Sequence, residues 1–336
     1  MAVLKLNGHS SLSLELEKEK YEPFLDFLKG LCILWVIWEH TMGWKDQTGF
    51  WFWGKWAVPL FLLIQCFHVF KKGIDKVKWP DLKKVAKRVV IPFLLVVIAS
   101  LIIQSVLGDL KKGWQSEIYK FSLFGPGGYY PLIYIQFAVI LPLFGLFCQR
   151  YGVKNGLIAI LLLSIFLDAL GSIIGMEEWL WRLLCFKYLL LIGGGYFWSK
   201  EIQLNAYTLA FGVVSIVFIY LFEYRDLKLS PLFYDSAMSW RGCHWICYFY
   251  PIFIIPVLLY GLYRCLYGAL CRFIEGLGKA SYEIFLMQML IIGVISPHRD
   301  AVNAFLPHSF LPIIWVSSVG LGYLWFIIRT RTIKNN

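Results

Sequence analysis

Ten mostly apolar runs recur along the chain, each near the roughly 20 residues that an α-helix needs to cross a bilayer core. They lie near 24–44, 52–70, 89–107, 131–149, 157–174, 180–198, 204–222, 246–266, 282–297 and 310–328. The loops between them are too short to hold a separate soluble domain. Composition agrees: 59% of the 336 residues are hydrophobic and 16% are charged, against about 25% charged in an average soluble protein. A globule of this size could not hide so much apolar surface from water. The chain is therefore expected to be all-α, a polytopic membrane helix bundle of about ten transmembrane helices over residues 21–330. A solvated tail at 1–20 and a short one at 331–336 complete it. Residues 1–20 contain no apolar core of signal-peptide length.

The net charge of +11 invites a nucleic-acid reading, but the basic residues lie between the apolar runs, where membrane proteins keep cytoplasmic charge. No nucleic-acid partner is expected. Lys71, Lys72, Lys76, Lys78, Lys83, Lys84, Lys87 and Arg88 face only Asp75 and Asp81 in one loop. Placing that loop in the cytoplasm gives its side more than twice the Lys and Arg of the other, and puts both termini there as well. With no signal segment and no glycosylation-rich lumenal domain, the expected location is a bacterial cytoplasmic (inner) membrane.

A charge at a helix centre costs about 2.5–3.5 kcal/mol on insertion scales, so polar groups inside the spans are informative. The first span carries the densest set: Asp26, Lys29, Glu39 and His40. His40 lies three turns beyond Lys29, about 16 Å along the axis and on the same face. A cation at the helix mouth and an imidazole at membrane depth suit a reaction inside the bilayer. A packed histidine bonded to a neighbouring carbonyl is the alternative. Glu39 points about 100° away from His40, so the two are expected to meet different partners.

Trp79-Pro80-Asp81 reads as a helix start, with Lys84 and Arg88, and Lys83 and Lys87, as i,i+4 neighbours. Pro92 has no N–H, which frees the carbonyl of Arg88 and bends the helix. Two basic pairs at such a bend suit a polyphosphate ligand, or a lipid anchor. Tyr129 and Tyr130 follow a Gly-Pro-Gly-Gly turn and could form either a sugar-stacking platform or an interfacial belt. Asp168 is expected to pair with Arg182 or Lys187. Gly193-Gly-Gly195 and Gly320-Leu-Gly322 read as close helix approaches. Cys243, His244 and Cys247 have weak metal spacing, and no metal site is expected.

Leu25-Asp-Phe-Leu-Lys-Gly30 followed by His40 resembles the first span of the acyltransferase-3 family of integral membrane O-acyltransferases. Three further segments match in order: Val58-Pro-Leu-Phe61, the cluster Lys83, Lys84, Lys87 and Arg88 before Pro92, and Leu277-Gly-Lys-Ala-Ser-Tyr282. The chain departs from the pattern at Gln65-Cys66, where Ser-Gly is usual, at Gln288, a common His position, and in a basic motif made mostly of lysine. The resemblance implies transfer of an acyl group, usually acetyl from cytoplasmic acetyl-CoA, onto a hydroxyl of a cell-surface glycan or glycolipid. On that reading His40 is base or acyl carrier with Glu39 as orienting partner. Lys29, Lys83, Lys84, Lys87 and Arg88 hold the CoA phosphates, and Asp26, Tyr129 and Tyr130 lie on the substrate path. The rival classes are a polytopic transporter, with Asp168, Arg182, Lys187 and His40 along a polar route, and a non-catalytic partner in polysaccharide assembly.

Overall fold

The computed structural model describes residues 4–7, 11–14, 18–42, 56–109, 128–176, 183–200, 203–221, 245–307 and 309–334. Eleven helices dominate them: α1 (Lys18–Met42), α2 (Ala57–Phe70), α3 (Leu82–Leu107), α4 (Tyr130–Tyr151), α5 (Val153–Ile173), α6 (Leu190–Lys200), α7 (Ala206–Ile219), α8 (Trp245–Cys265), α9 (Ala269–Lys279), α10 (Ser281–Phe305) and α11 (Phe310–Lys334). Three short strands, β1 (Leu4–Asn7), β2 (Ser11–Leu14) and β3 (Gln203–Leu204), pair antiparallel in that order. The described residues are thus helical apart from this small sheet.

Among the described residues, five helices are long and apolar enough to cross a membrane: α3, α4, α5, α8 and α11. A sixth appears if α9 and α10, bent by 72° across their junction, form one broken span. The other apolar runs fall on α1, which carries Asp26, Lys29 and Glu39, or on the shorter helices α2, α6 and α7. Length and apolarity alone therefore account for five or six crossings, against ten expected. The exposed faces of the long helices are apolar: Leu94, Leu95, Ile98 and Ile102 on α3, and Ile158, Leu162 and Phe166 on α5, all lie at the surface. Contiguous surface of that kind is stable only against lipid or another apolar partner.

The chain divides into two units. One contains Met1–Leu25, Val58–Pro80 and Ile133–Tyr267. There a single residue, Gly152, joins α4 to α5 at φ 86, a conformation that glycine adopts without steric cost. The Gly193-Gly-Gly195 run is a close approach, as expected. A side chain on Gly194 would press on Leu63 and Ile252, and one on Gly195 would overlap Cys66. The Trp198 indole N–H donates to the carbonyl of Ile252 at 2.8 Å and locks α6 to α8. Gln65-Cys66 thus has a packing account: Gly195 makes room for the Cys66 side chain, and Gln65 Nε2 donates to the carbonyl of Tyr134 at 3.2 Å. Asp168 and Lys187 are both buried in this unit, with the Lys187 ammonium 5.0 Å from the Tyr188 ring centre. Arg182 lies outside the described residues, as do Cys243 and His244.

The second unit contains Asp26–Ala57, Asp81–Leu132 and Gly268–Asn336. Its axis is α10. Helix α3 is pinned to α10 at both ends: the Tyr282 hydroxyl donates to the carbonyl of Val89 at 2.7 Å, and His298 Nε2 lies 2.7 Å from Asp109 Oδ2. The order of these contacts makes the two helices parallel. Helix α11 runs the opposite way, with Arg329 beside Glu283 and Phe310 and Ile314 packed in a cluster with Ile291. Helix α1 runs with α10. Gly30 fits against Ile274, Gly278 fits against Asp26, and His40 meets Gln288. These directions are those the expected topology requires of the first, third, ninth and tenth spans. Of the Gly320-Leu-Gly322 pair only Gly322 is a close approach, against Ile284; no atom lies within 4 Å of a Cβ built on Gly320.

Candidate functional site

Every side chain singled out from the sequence for catalysis, donor binding or substrate binding belongs to the second unit. Its geometry starts at the crossing of α1 and α9. A Cβ on Gly30 would overlap the carbonyl oxygen of Ile274, and one on Gly278 would overlap that of Asp26. Two of the recognised sequence segments thus touch through their glycines, which sets the position of everything further along α1 and α10. Beside the crossing, Lys29 Nζ lies 2.6 Å from Asp26 Oδ1, an i,i+3 pair with both side chains half-buried.

His40 stands near the far end of α1. Its Nδ1 is 2.7 Å from Gln288 Nε2, and Gln288 is 0% exposed. The next residue fixes the helix end: the Trp315 indole N–H donates to Thr41 Oγ1 at 3.2 Å, while the Trp38 and Trp315 rings meet edge to face with centroids 6.1 Å apart. Gln288 Oε1 is buried and has no hydrogen-bond partner among the described residues. Glu39 is half-buried on the neighbouring face of α1.

A strip of α10 links this imidazole to the basic segment. Tyr282, Phe285 and Gln288 follow one another at i,i+3 spacing, so each is the surface neighbour of the next. Tyr282 holds Val89. Phe285 receives the ring of Tyr130, centroids 5.6 Å apart in a T-shaped contact, and Gln288 meets His40. Tyr130 is thus a neighbour of α10 one turn from Gln288. Tyr129 precedes the start of α4, half-buried.

Helix α3 starts as its sequence predicts, with Asp81 as cap: its carboxylate accepts from the backbone N–H of Lys83 at 3.1 Å and of Lys84 at 3.2 Å. The bond from the Lys84 N–H, reinforced by the Lys84 ammonium, holds the Asp81 carboxyl below the ordinary aspartate range. Where a bend was expected ahead of Pro92, the helix widens into a π-helical turn over Ala86–Val90, in which the Ile91 N–H donates to the carbonyl of Ala86. Wide turns of this kind recur at functional sites. Lys83, Lys84, Lys87 and Arg88 straddle the α-to-π junction, and all four are exposed. Lys84 reaches back to Asp81 at 3.5 Å; Lys83, Lys87 and Arg88 have no ion-pair partner among the described residues.

The sequence reading missed three contributors. Gln288 was visible only as a departure from a motif. Glu283 and Arg329 are charges near helix ends, unremarkable in one dimension, yet they form a 2.6 Å ion pair with the Glu283 side chain only 1% exposed. Arg329 Nε and Nη1 are buried and find no partner among the described residues. A guanidinium has five N–H donors, and Nη2 alone is engaged with Glu283. No group of three or more His, Cys, Asp or Glu able to hold a metal occurs among the described residues.

Comparison with known proteins gives no match to a curated protein and none to a solved structure. A family model does match. The acyltransferase-3 model, described as an acyltransferase domain, aligns with residues 22–328, a range that takes in all four sequence segments and both units. This integral membrane chain belongs to the acyltransferase-3 family.

Proposed function

We propose that the protein is a membrane O-acyltransferase of a bacterial cytoplasmic membrane. It takes an acyl group, acetyl in the first instance, from cytoplasmic acyl-CoA and places it on a hydroxyl of a cell-surface glycan or glycolipid. The observation that carries this reading is the strip of α10 from Tyr282 to Gln288, which joins a basic π-turn at one end to a half-buried, polar-bonded imidazole within two helical turns. Tyr282 and Gln288 are six residues apart, about 9 Å along the axis. The basic end lies at the cytoplasmic side, where the charge bias of the loops puts both termini.

The donor end suits a polyphosphate. Exposed Lys83, Lys87 and Arg88 supply charge, and the Arg88 guanidinium supplies the directional N–H pairs that lysine cannot. Lys29 is shared with Asp26, so its role is to hold the mouth of α1 as well as to add positive field. At the other end, the unprotonated nitrogen of a neutral His40 takes the proton of the acceptor hydroxyl. The oxygen attacks the thioester carbonyl, the C–S bond breaks, and the proton passes to the departing CoA thiolate. In the variant with His40 as carrier, the same nitrogen attacks the thioester and the C–S bond breaks to release the CoA thiolate; the acceptor hydroxyl then attacks the acyl-imidazolium, freeing the imidazole, and its proton passes to the thiolate.

General-base help of this kind is worth about 10²–10⁴ in rate. The test is His40→Ala, assayed for both acetyl-CoA binding and label transfer to the native glycolipid fraction. Binding retained with transfer lost by that factor supports the reading; undiminished transfer removes His40 from the chemistry.

A further inference from the structure

Gln288 is completely buried on α10, at the position where the family pattern has a common His. Its amide end lies 2.7 Å from His40 Nδ1, and its other polar atom has no partner among the described residues. A primary amide has one accepting and one donating end that exchange places on a half-turn about its last bond, with no other heavy atom moving. With Nε2 against the imidazole, Gln288 donates to Nδ1 and forces the ring proton onto Nε2. The nitrogen pointing away from Gln288 is then a donor and cannot accept a proton, while Oε1 remains buried without a donor. With the amide turned, Oε1 accepts from Nδ1–H, the amide N–H₂ takes the place that Oε1 held, and the imidazole Nε2 presents its lone pair to the acceptor.

We infer that Gln288 is the positioning residue of the transfer reaction: its side-chain oxygen accepts from His40 Nδ1–H, fixes the ring orientation and the tautomer, and leaves His40 Nε2 as the reacting nitrogen. The inference rests on His40 being the reacting group. A neutral oxygen serves here in the role that a carboxylate often plays behind a catalytic or metal-bound imidazole, without placing a second charge at membrane depth. Gln288 touches neither donor nor acceptor on this account. It acts only through His40.

Three variants separate this role from packing. Gln288→Met keeps the volume and removes both polar ends. Gln288→Glu keeps an accepting oxygen at the same reach. His40→Ala runs beside them. Transfer of label from radiolabelled acetyl-CoA to the native glycolipid fraction of membrane vesicles is followed at varied acetyl-CoA, with the amount of folded protein fixed by thermal melting of the purified variants. Gln288→Met is expected to lower the maximal rate about 10–100-fold, the usual effect of losing such an orienting partner, with KM for acetyl-CoA unchanged. Gln288→Glu is expected to restore most of that loss. Full rate in Gln288→Met, or a Gln288→Glu as slow as Gln288→Met, overturns the inference. If Gln288→Met does not fold, ¹⁵N NMR of the parent protein labelled at histidine decides: a proton on His40 Nδ1 supports the assignment and a proton on Nε2 refutes it. Full activity in His40→Ala would overturn the functional reading and this inference with it. An inactive His40→Ala beside a fully active Gln288→Met would overturn the inference alone.

Discussion

The Tyr282 hydroxyl donates to the carbonyl of Val89 at 2.7 Å, and Val89 is a residue of the π-turn that carries Lys87 and Arg88. A tyrosine in one family motif thus braces the backbone of another, 193 residues earlier in the chain. Widening a helix exposes carbonyls that the α-pattern would satisfy, and the brace takes one of them.

Tyr282→Phe removes that bond and keeps the ring. A net contribution of about 0.5–1.5 kcal/mol should appear as an acetyl-CoA affinity about 2- to 12-fold weaker, with the melting temperature of the purified protein close to that of the parent. Unchanged donor affinity would detach the brace from donor binding.

Arg88→Ala should weaken acetyl-CoA binding by roughly 10-fold or more, because hydrogen bonds to charged groups contribute about 1.5–3 kcal/mol. The range of acceptors labelled should stay the same. Equal donor affinity in parent and variant would return the basic segment to the role of an anchor on anionic lipid.

The Glu283–Arg329 pair separates structure from binding. Arg329→Leu alone leaves Glu283 buried and uncompensated, a loss of about 3–5 kcal/mol, and should sharply reduce folded protein. The double variant Glu283→Leu/Arg329→Leu should recover folding. If the remaining N–H groups of Arg329 engage donor phosphates, the double variant still binds acetyl-CoA more weakly than the parent. Normal binding by the recovered protein would mark the pair as structural only.

Gly30→Ala and Gly278→Ala each push a methyl group into a carbonyl oxygen of the facing helix. Overpacking of this sort costs about 1–3 kcal/mol. Thermal melting in detergent should show both variants destabilised and their combination less than additive, since both act on one crossing. Gly320→Ala meets no atom within 4 Å; it should be neutral or stabilise by up to about 1 kcal/mol through helix propensity. Equal destabilisation at all three positions would contradict the packing described for α1 and α9.

Helical class, the start of α3 at Asp81 and the close approach at Gly193-Gly-Gly195 were legible in the sequence because each depends on local pattern. Length and apolarity among the described residues recover only part of the ten expected crossings: α2 and α7 have 14 residues each, and α9 and α10 qualify only together, across a 72° bend. His40 and the basic cluster could be picked out from spacing. The partner of His40 could not, because Gln288 is 248 residues away and a lone glutamine in an apolar run carries no periodic signal. Arg329 was hidden for a similar reason. A basic residue near the end of a last span reads as a solvated anchor until its partner Glu283 is seen in space. The tyrosine pair kept two readings in one dimension, and the contact of Tyr130 with Phe285 sets it against the helix that carries Gln288.

The central claim is that an acyl group passes from a cytoplasmic donor to an acceptor through His40. Membrane vesicles of known orientation, carrying the parent or His40→Ala, test it when radiolabelled acetyl-CoA is offered on the cytoplasmic face alone and label is counted in the glycan and glycolipid fraction. The account predicts label with the parent and a loss of about 10²–10⁴ in rate with His40→Ala, at equal folded protein and equal acetyl-CoA binding. Equal labelling by parent and variant, or absence of acetyl-CoA binding by the folded parent, would contradict it.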